Sequence, residues 1–326
     1  MRDLLISESV TGPAIDDLCA RFDVLRLPEL WKDAEGLARH ISNTKVLLVR
    51  NQTRVTRALL QAANGLLAVV RAGAGLDNID VDAATEAGVI VTYAPDQNSI
   101  SAAEHTIALL LALARKVPEA NATTKLGAWN RHNFVGNEVY GKSLGIIGAG
   151  KIGFLTAMRA QAFGMRILAC DPQLSRDNVY LSQLNAELLE LDELLARADF
   201  VSCHVPATPK TIGLLNRHTF AKMKTTACII NTSRGEVINE DDLITALKSG
   251  RIAGAALDVR TKEPPQVNGL EALPNVILTP HIAAFTHEAQ ERVTRAVCED
   301  IALVLEGKPP KNVASGNGMA RSRILA

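Results

Sequence analysis

The sequence predicts an α/β chain of two doubly wound parallel sheets, one unit inserted into the other. Three observations carry that expectation. The chain has 326 residues, which suggests two domains, and 47% of them are apolar, ample for two cores. Short apolar runs alternate with helical segments along almost the whole length. One run, Ser143–Ile147, leads into Gly148-Ala-Gly150-Lys-Ile-Gly153, then a helical segment, then the run Arg166–Cys170 and Asp171.

Taken in order, residues 1–97 alternate regularly. Leu4–Ser7, Val24–Leu27, Lys45–Val49, Leu66–Arg71 and Val89–Thr92 read as short buried strands. Segments near 12–21, 31–41, 55–63 and 79–87 read as the helices between them, so a parallel sheet is expected. The turn Arg71-Ala-Gly73-Ala74-Gly75 offers glycine amides to a small anion, or is a plain strand-end turn. Ser101 and Glu104 have capping-box spacing and predict a helix start. That helix is apolar nearly all round through Ala114, which suits a hinge post or a subunit contact. Asp199–Val205, Thr226–Asn231, Ile252–Val259 and Asn275–Leu278 complete a second sheet of six strands. Residues 286–306 read as a helix with Ala289, Val293, Ala296, Val297 and Val304 on one stripe, crossing back to the first domain. The expected division is therefore 1–97 with 285–326, and 98–284. The small, polar and basic stretch Ser315–Ala326 is expected to be poorly ordered.

The glycine stretch has the context that gives such a motif meaning. A strand precedes it, a helix follows, and a second strand ends on Asp171, 21 residues after Gly150. Gly148 permits the turn, Gly150 lets backbone approach a pyrophosphate, and Gly153 lets helix pack on strand. This is a Rossmann-type dinucleotide site, with an acid placed for the ribose hydroxyls. A carboxylate at Asp171 repels a 2′-phosphate and predicts NAD over NADP, while Arg176 nearby softens that preference.

Composition excludes several other classes. The 35 basic and 35 acidic residues balance, so neither nucleic acid nor a membrane surface is indicated. The five cysteines, Cys19, Cys170, Cys203, Cys228 and Cys298, show no C-x-x-C spacing and read as reduced thiols of a cytoplasmic protein. No metal-ligand spacing is present. No secretory signal opens the sequence. Its longest apolar run, Ile107–Ala114, falls far short of the roughly 20 residues that span a bilayer.

Ligands of open parallel sheets bind beyond the carboxyl ends of the strands. Here those ends carry Gly148, Asp171, His204-Val205-Pro206, Thr232-Ser233-Arg234, Asp258 and Pro280-His281, with Glu263 in the loop after Asp258. A hydride leaves a secondary alcohol only if the hydroxyl proton is taken as it goes. Histidine suits that task, a carboxylate on its far nitrogen fixes its tautomer, and arginine clamps a substrate carboxylate. Arg234, Glu263 and His281 supply this set at three successive strand ends. His40, His132, His218 and His287 read as surface residues, and His204 has no acid or arginine beside it in sequence.

With these residues in view, the chain resembles the D-isomer-specific 2-hydroxyacid dehydrogenase family from about Leu47 to Asn312. The resemblance rests on Arg71-Ala-Gly-Ala-Gly-Leu-Asp-Asn-Ile-Asp80, Asn98-Ser-Ile-Ser-Ala-Ala-Glu104, Gly141-Lys-Ser-Leu-Gly-Ile-Ile-Gly148, Asn231-Thr-Ser-Arg-Gly235, Ala255-Ala-Leu-Asp-Val259, Glu263-Pro-Pro265 and Pro280-His-Ile282. It implies a Rossmann NAD domain inserted into a flavodoxin-like substrate domain. It makes Arg234, Glu263 and His281 the catalytic set. It also implies cofactor contacts at Gly148, Gly150, Lys151, Ile152, Gly153, Asp171, Val205, Thr232, Ser233, Asp258, His281 and Ala283. The substrate would meet Arg50, Arg71, Gly73, Ala74, Gly75 and Arg234.

Within the family the chain is most similar to the branch acting on 3-phosphoglycerate. Arg50 and Arg71 fall where that branch carries its phosphate arginines. Trp129 and Arg131 match a Gly-x-Trp-x-Arg stretch that reaches a neighbouring subunit's site. Dimers around the helix after Asn98 are implied, with a tetramer possible. Ala74 stands in place of a threonine, and Ala283-Ala284-Phe285 in place of a glycine-containing turn. Serine feedback through a C-terminal domain is not expected, since none follows residue 312. Glu263 argues against the formate dehydrogenase branch, where glutamine replaces that acid. The alternatives are the same chemistry on 3-sulfolactate or on hydroxypyruvate and glyoxylate, or a dinucleotide-sensing protein like the corepressors of this fold. The chain is too short for an adenosylhomocysteine-type hydrolase.

Overall fold

The computed structural model describes residues 1–175 and 177–314. Arg176 and the Ser315–Ala326 stretch, on which two expectations fell, lie outside the described residues. The chain divides into two compact units, one of Met1–Asn98 with the segment from Thr286, the other of Ser99–Phe285.

In the first unit the strands are β1 (Arg2–Ile6), β2 (Val24–Arg26), β3 (Thr44–Val49), β4 (Ala68–Arg71) and β5 (Ile90–Tyr93). All pair in parallel, in the order β2-β1-β3-β4-β5. That is the flavodoxin-like order, and its reversal lies between β1 and β3. Helices α1 (Pro13–Arg21), α2 (Ala34–Ile41), α3 (Arg57–Gln61) and α4 (Val81–Glu86) make the connections. Asp33, Thr56 and Asp80 cap the last three, each accepting the amide of the third helical residue.

The second unit opens with α5 (Ser99–Arg115) and α6 (Val117–Lys125). Its strands are β6 (Ser143–Ile147), β7 (Arg166–Cys170), β8 (Glu187–Leu188), β9 (Phe200–Cys203), β10 (Cys228–Asn231), β11 (Gly254–Leu257) and β12 (Val276–Leu278). They form one parallel sheet in the order β12-β11-β10-β9-β6-β7-β8. The reversal lies between β6 and β9, where such sheets bind ligands. Helices α7 (Lys151–Ala162), α8 (Val179–Gln183), α9 (Leu191–Arg197), α10 (Arg217–Phe220) and α11 (Glu240–Lys248) complete it. The chain then returns to the first unit through α12 (His287–Leu305), whose Val293, Val297, Ile301 and Val304 pack on Leu4, Ile6, Val46 and Leu48.

Both sheets are covered on both faces, which is why their strands read as unbroken apolar runs. In β11, Ala255 and Leu257 enter the core beneath α9–α11 while Ala256 enters the one beneath α5 and α7. In the first unit Leu5, Leu47 and Val69 face α2–α4, and Leu4, Val46 and Val70 face α1 and α12.

Two expectations about elements are corrected. The second sheet has seven strands, because β8 is only two residues long and too short to show a pattern. The capping box at Ser101 and Glu104 does not form. The helix starts at Ser99, so both residues lie inside it, and the Glu104 carboxylate pairs with Arg159 at 3.0 Å. Among the described residues no helix is long and apolar enough to cross a membrane.

Candidate active site

The glycine loop sits at the reversal of the second sheet. Gly148 has φ 89°, and a Cβ there would lie 2.7 Å from Val205 Cγ1 and 2.9 Å from the His204 carbonyl oxygen. A Cβ on Gly153 would overlap the Gly148 carbonyl oxygen, so only glycine lets α7 approach β6 this closely. At Gly150 nothing lies within 4 Å of that position, which leaves open space at the N-cap of α7. This open cradle fits a dinucleotide pyrophosphate facing the first amides of a helix. Asp171 ties the loop to β7. Its Oδ2 accepts the Ala149 amide at 3.0 Å and its Oδ1 accepts the Gln173 amide at 2.9 Å.

Arg234, Glu263 and His281 follow β10, β11 and β12, three neighbouring strands. His281 Nδ1 lies 2.7 Å from Glu263 Oε2. Burial raises the Glu263 carboxyl, but the His281 bond, its charge and the Arg260 amide outweigh burial and hold it below the ordinary value. The other oxygen, Oε1, accepts the Arg260 amide at 3.1 Å. Gly235, directly after Arg234, packs so closely that a Cβ there would overlap the Arg260 carbonyl and the Thr261 nitrogen. The strand-end turn before it is self-bonded: Ser233 N and Oγ both donate to Asn231 Oδ1, and Asn231 Nδ2 donates to the Arg234 carbonyl. The Arg234 guanidinium donates to the Ser233 carbonyl at 2.8 Å through Nη1, and its side chain is half-buried.

His281 stands in the left-handed region at φ 56°, a costly conformation for a non-glycine residue that its surroundings must hold. Asp258 does so. Its carbonyl accepts the His281 amide at 2.8 Å. Its carboxylate accepts the amides of Ile282 and Ala283 at 2.9 and 2.8 Å and the Thr279 hydroxyl at 2.6 Å. His105 Nε2 of α5 stands 3.4 Å away. Asp258 is 1% exposed. Burial raises its carboxyl, and the bonds from His105, Thr279, Ile282 and Ala283 together bring it below the ordinary value. The Asp258 carboxylate thus braces the protein's own histidine turn. His105 was missed as a site neighbour because only the fold brings α5 to β11.

Thr232 is similarly engaged. Thr106 Oγ1 donates to the Ala102 carbonyl and stands 2.8 Å from Thr232 Oγ1. His204 bonds Ser202 Oγ at 2.9 Å, and burial pushes its ring down to about 4, so it stays neutral. His40, His132, His218 and His287 are exposed.

The first unit carries its own polar cluster at the reversal of its sheet. Glu8, 4% exposed, accepts four successive amides, Arg50 and Thr53 on Oε1 and Asn51 and Gln52 on Oε2, at 2.8 to 3.2 Å. This fixes the loop carrying Arg50, whose Nη2 donates to Gln290 Oε1 of α12 at 2.5 Å. Arg71 ends β4, opposite Val49 in register, and a Cβ on Gly73 would strike its guanidinium. Ala74 and Gly75 are partly exposed beside it. Among the described residues no group of three or more His, Cys, Asp or Glu is placed to hold a metal ion.

Comparison with known proteins extends this geometry. The family described as "D-isomer specific 2-hydroxyacid dehydrogenase, NAD binding domain" matches residues 107–283. A D-3-phosphoglycerate dehydrogenase of Archaeoglobus fulgidus is 42% identical over 314 residues, 96% of this chain and 59% of its own length. That of Methanocaldococcus jannaschii is 48% identical over 291 residues, 89% of this chain and 55% of its own length. The chain thus spans somewhat more than half the length of these curated relatives. The solved structure of the TT0316 protein from Thermus thermophilus matches with a TM-score of 0.89 at 35% identity, covering 96% of this chain and 99% of that one.

Proposed function

The chain belongs to the D-isomer specific 2-hydroxyacid dehydrogenase family, and from that premise we propose that it interconverts a small anionic D-2-hydroxy acid and its 2-oxo acid with NAD. The observation that carries the reading is the 2.7 Å bond between His281 and Glu263, in a loop whose Arg260 packs on Gly235, the residue after Arg234. Bound at the glycine cradle, the nicotinamide would supply the hydride chemistry, NAD accepting in alcohol oxidation and NADH donating in reduction of the 2-oxo acid. The His281 Nδ1–H donates to Glu263, which leaves Nε2 to take the hydroxyl proton in oxidation and return it in reduction. Ionised Glu263 stabilises the imidazolium that forms. The Arg234 guanidinium clamps the substrate carboxylate and polarises the adjacent carbonyl.

Gly148, Gly150, Lys151, Ile152 and Gly153 would hold the pyrophosphate and Asp171 the ribose. Val205, Thr232, Ser233, Asp258, His281 and Ala283 would frame the nicotinamide. In that frame Asp258 acts by shaping the turn.

The favoured substrate is 3-phosphoglycerate-like. Relatives named D-3-phosphoglycerate dehydrogenase support it, as do Arg50 and Arg71 at neighbouring strand ends. These arginines would hold the second anion, and the amides of Gly73, Ala74 and Gly75 the carboxylate. The reading is tested by NADH oxidation with phosphohydroxypyruvate, sulfopyruvate, hydroxypyruvate and glyoxylate. The highest kcat/KM is expected with the phosphorylated acid, and no turnover with any of the four would overturn the reading. Arg71→Ala should raise KM for phosphohydroxypyruvate by on the order of 100-fold, the loss of charged hydrogen bonds of about 2–3 kcal/mol. Glyoxylate, lacking a second anion, should shift only about threefold; equal shifts would remove Arg71 from that role.

The protein is further proposed to be a cytoplasmic homodimer. All five cysteines are free, which suits a reducing compartment. Leu126, Trp129, Val135 and Tyr140 are 88, 78, 72 and 79% exposed in one stretch, an apolar surface a partner would cover. Light scattering should then give twice the 34.9 kDa chain mass; a mass of one chain would exclude the dimer.

A further inference from the structure

The loop carrying Glu263 is held by a buried ion pair that takes no part in the proposed chemistry. Arg260 is 8% exposed. Its guanidinium forks onto Glu240, Nε to Oε1 at 3.1 Å and Nη2 to Oε2 at 2.9 Å. Nη1 reaches Glu271 Oε1 at 3.2 Å, and Nη2 also reaches Asn268 Oδ1 at 3.0 Å. Glu240, the first residue of α11, in turn accepts the Thr261 amide at 2.9 Å and Asn268 Nδ2 at 2.5 Å.

A buried ion pair is weak evidence for stability, because stripping water from both charges offsets their attraction. What the fork fixes is geometry. The amide of Arg260 donates to Glu263 Oε1, and its carbonyl lies against Gly235, next to Arg234. One residue therefore joins α11 through its side chain, the proposed catalytic acid through its amide, and the arginine turn through its carbonyl. The charges acting on Glu263 itself are His281 across the 2.7 Å bond and Asp258, whose negative charge opposes its ionisation. The Arg260 guanidinium points the other way, into the Glu240, Glu271 and Asn268 cluster.

We propose that Arg260, paired with Glu240, is a positioning residue for the Glu263–His281 pair. The fork fixes the Arg260 backbone, and that backbone fixes the carboxylate that aims the imidazole. Its consequence for turnover rests on the dehydrogenase reading; its consequence for Glu263 does not.

Two variants test it. Arg260→Lys keeps the charge and loses the planar fork. Arg260→Met combined with Glu240→Leu removes both charges together, so neither is left buried and unpaired. In each folded variant the Glu263 carboxyl, followed by carbon NMR, should titrate higher than in the parent by about half a unit or more. Reduction of phosphohydroxypyruvate should lose about tenfold in kcat while NADH affinity stays within about twofold. An unmoved Glu263 titration in the folded double variant overturns the proposal, as does a moved titration with unchanged kcat. A parent that binds NADH yet reduces no 2-oxo acid defeats the dehydrogenase reading instead, and the Glu263 titration then decides the positioning claim alone.

Discussion

His281→Ala is expected to lower kcat for 2-oxo acid reduction by on the order of 10³- to 10⁴-fold, the upper range of a lost general acid. NADH affinity should hardly change, because the phosphate cradle at Gly148–Gly153 belongs to a different strand end from His281. The size follows from the geometry. One nitrogen of the ring is tied to Glu263 at 2.7 Å, and the other is the one proposed to move the proton. Glu263 is held below the ordinary carboxylate value of 4.5, so the partner charge is present above that pH and lost only as pH falls through the lowered value. Stopped-flow loss of NADH fluorescence, with binding measured separately, checks the result. Turnover within tenfold of the parent would remove His281 from the proton transfer.

Asp258→Ala is expected to cost about 3 kcal/mol of stability, since buried amide donors at Ile282 and Ala283 lose their acceptor together. A fall in Tm of about 6–10 °C corresponds to that. The sign of its pH dependence is fixed by the lowered carboxyl of Asp258. Ionised, it contributes fully above the ordinary value of 3.8, and the contribution is lost as pH falls through its lowered value. The gap in Tm between parent and variant should therefore be full at neutral pH and close in acid. Activity should fall by on the order of 100-fold, because His281 relaxes from its left-handed backbone and its ring loses the aim that proton transfer needs. Parent-like melting at neutral pH would show that the carboxylate does not hold the turn.

The two predictions differ in how far sequence reasoning could reach them. His281 was legible because Pro280-His281 ends an apolar run, and runs buried on both faces announce parallel strands. The strands β1 to β7 and β9 to β12 lie within two residues of their expected bounds for the same reason. Strand β8 was not legible, since two residues carry no period. The helix α5 begins at Ser99, three residues before the start that a cap at Ser101 implied, and Glu104 inside it meets Arg159 of α7 rather than a cap amide.

By itself the sequence determined the fold class, the glycine loop with its acid, and the three residue types that follow β10, β11 and β12. Each is a local property: a period, a spacing or a residue after a strand. Only the tertiary structure decided what Glu8, Asp258, Arg260 and His105 do. Glu8 meets amides 42 to 45 residues away, Arg260 meets a carboxylate 20 residues back, and His105 reaches a strand far down the chain. A buried backbone amide must find an acceptor, and a buried carboxylate its donors, wherever the fold brings them together. Which partners meet is set by the packing of whole elements, and no short stretch of sequence records it.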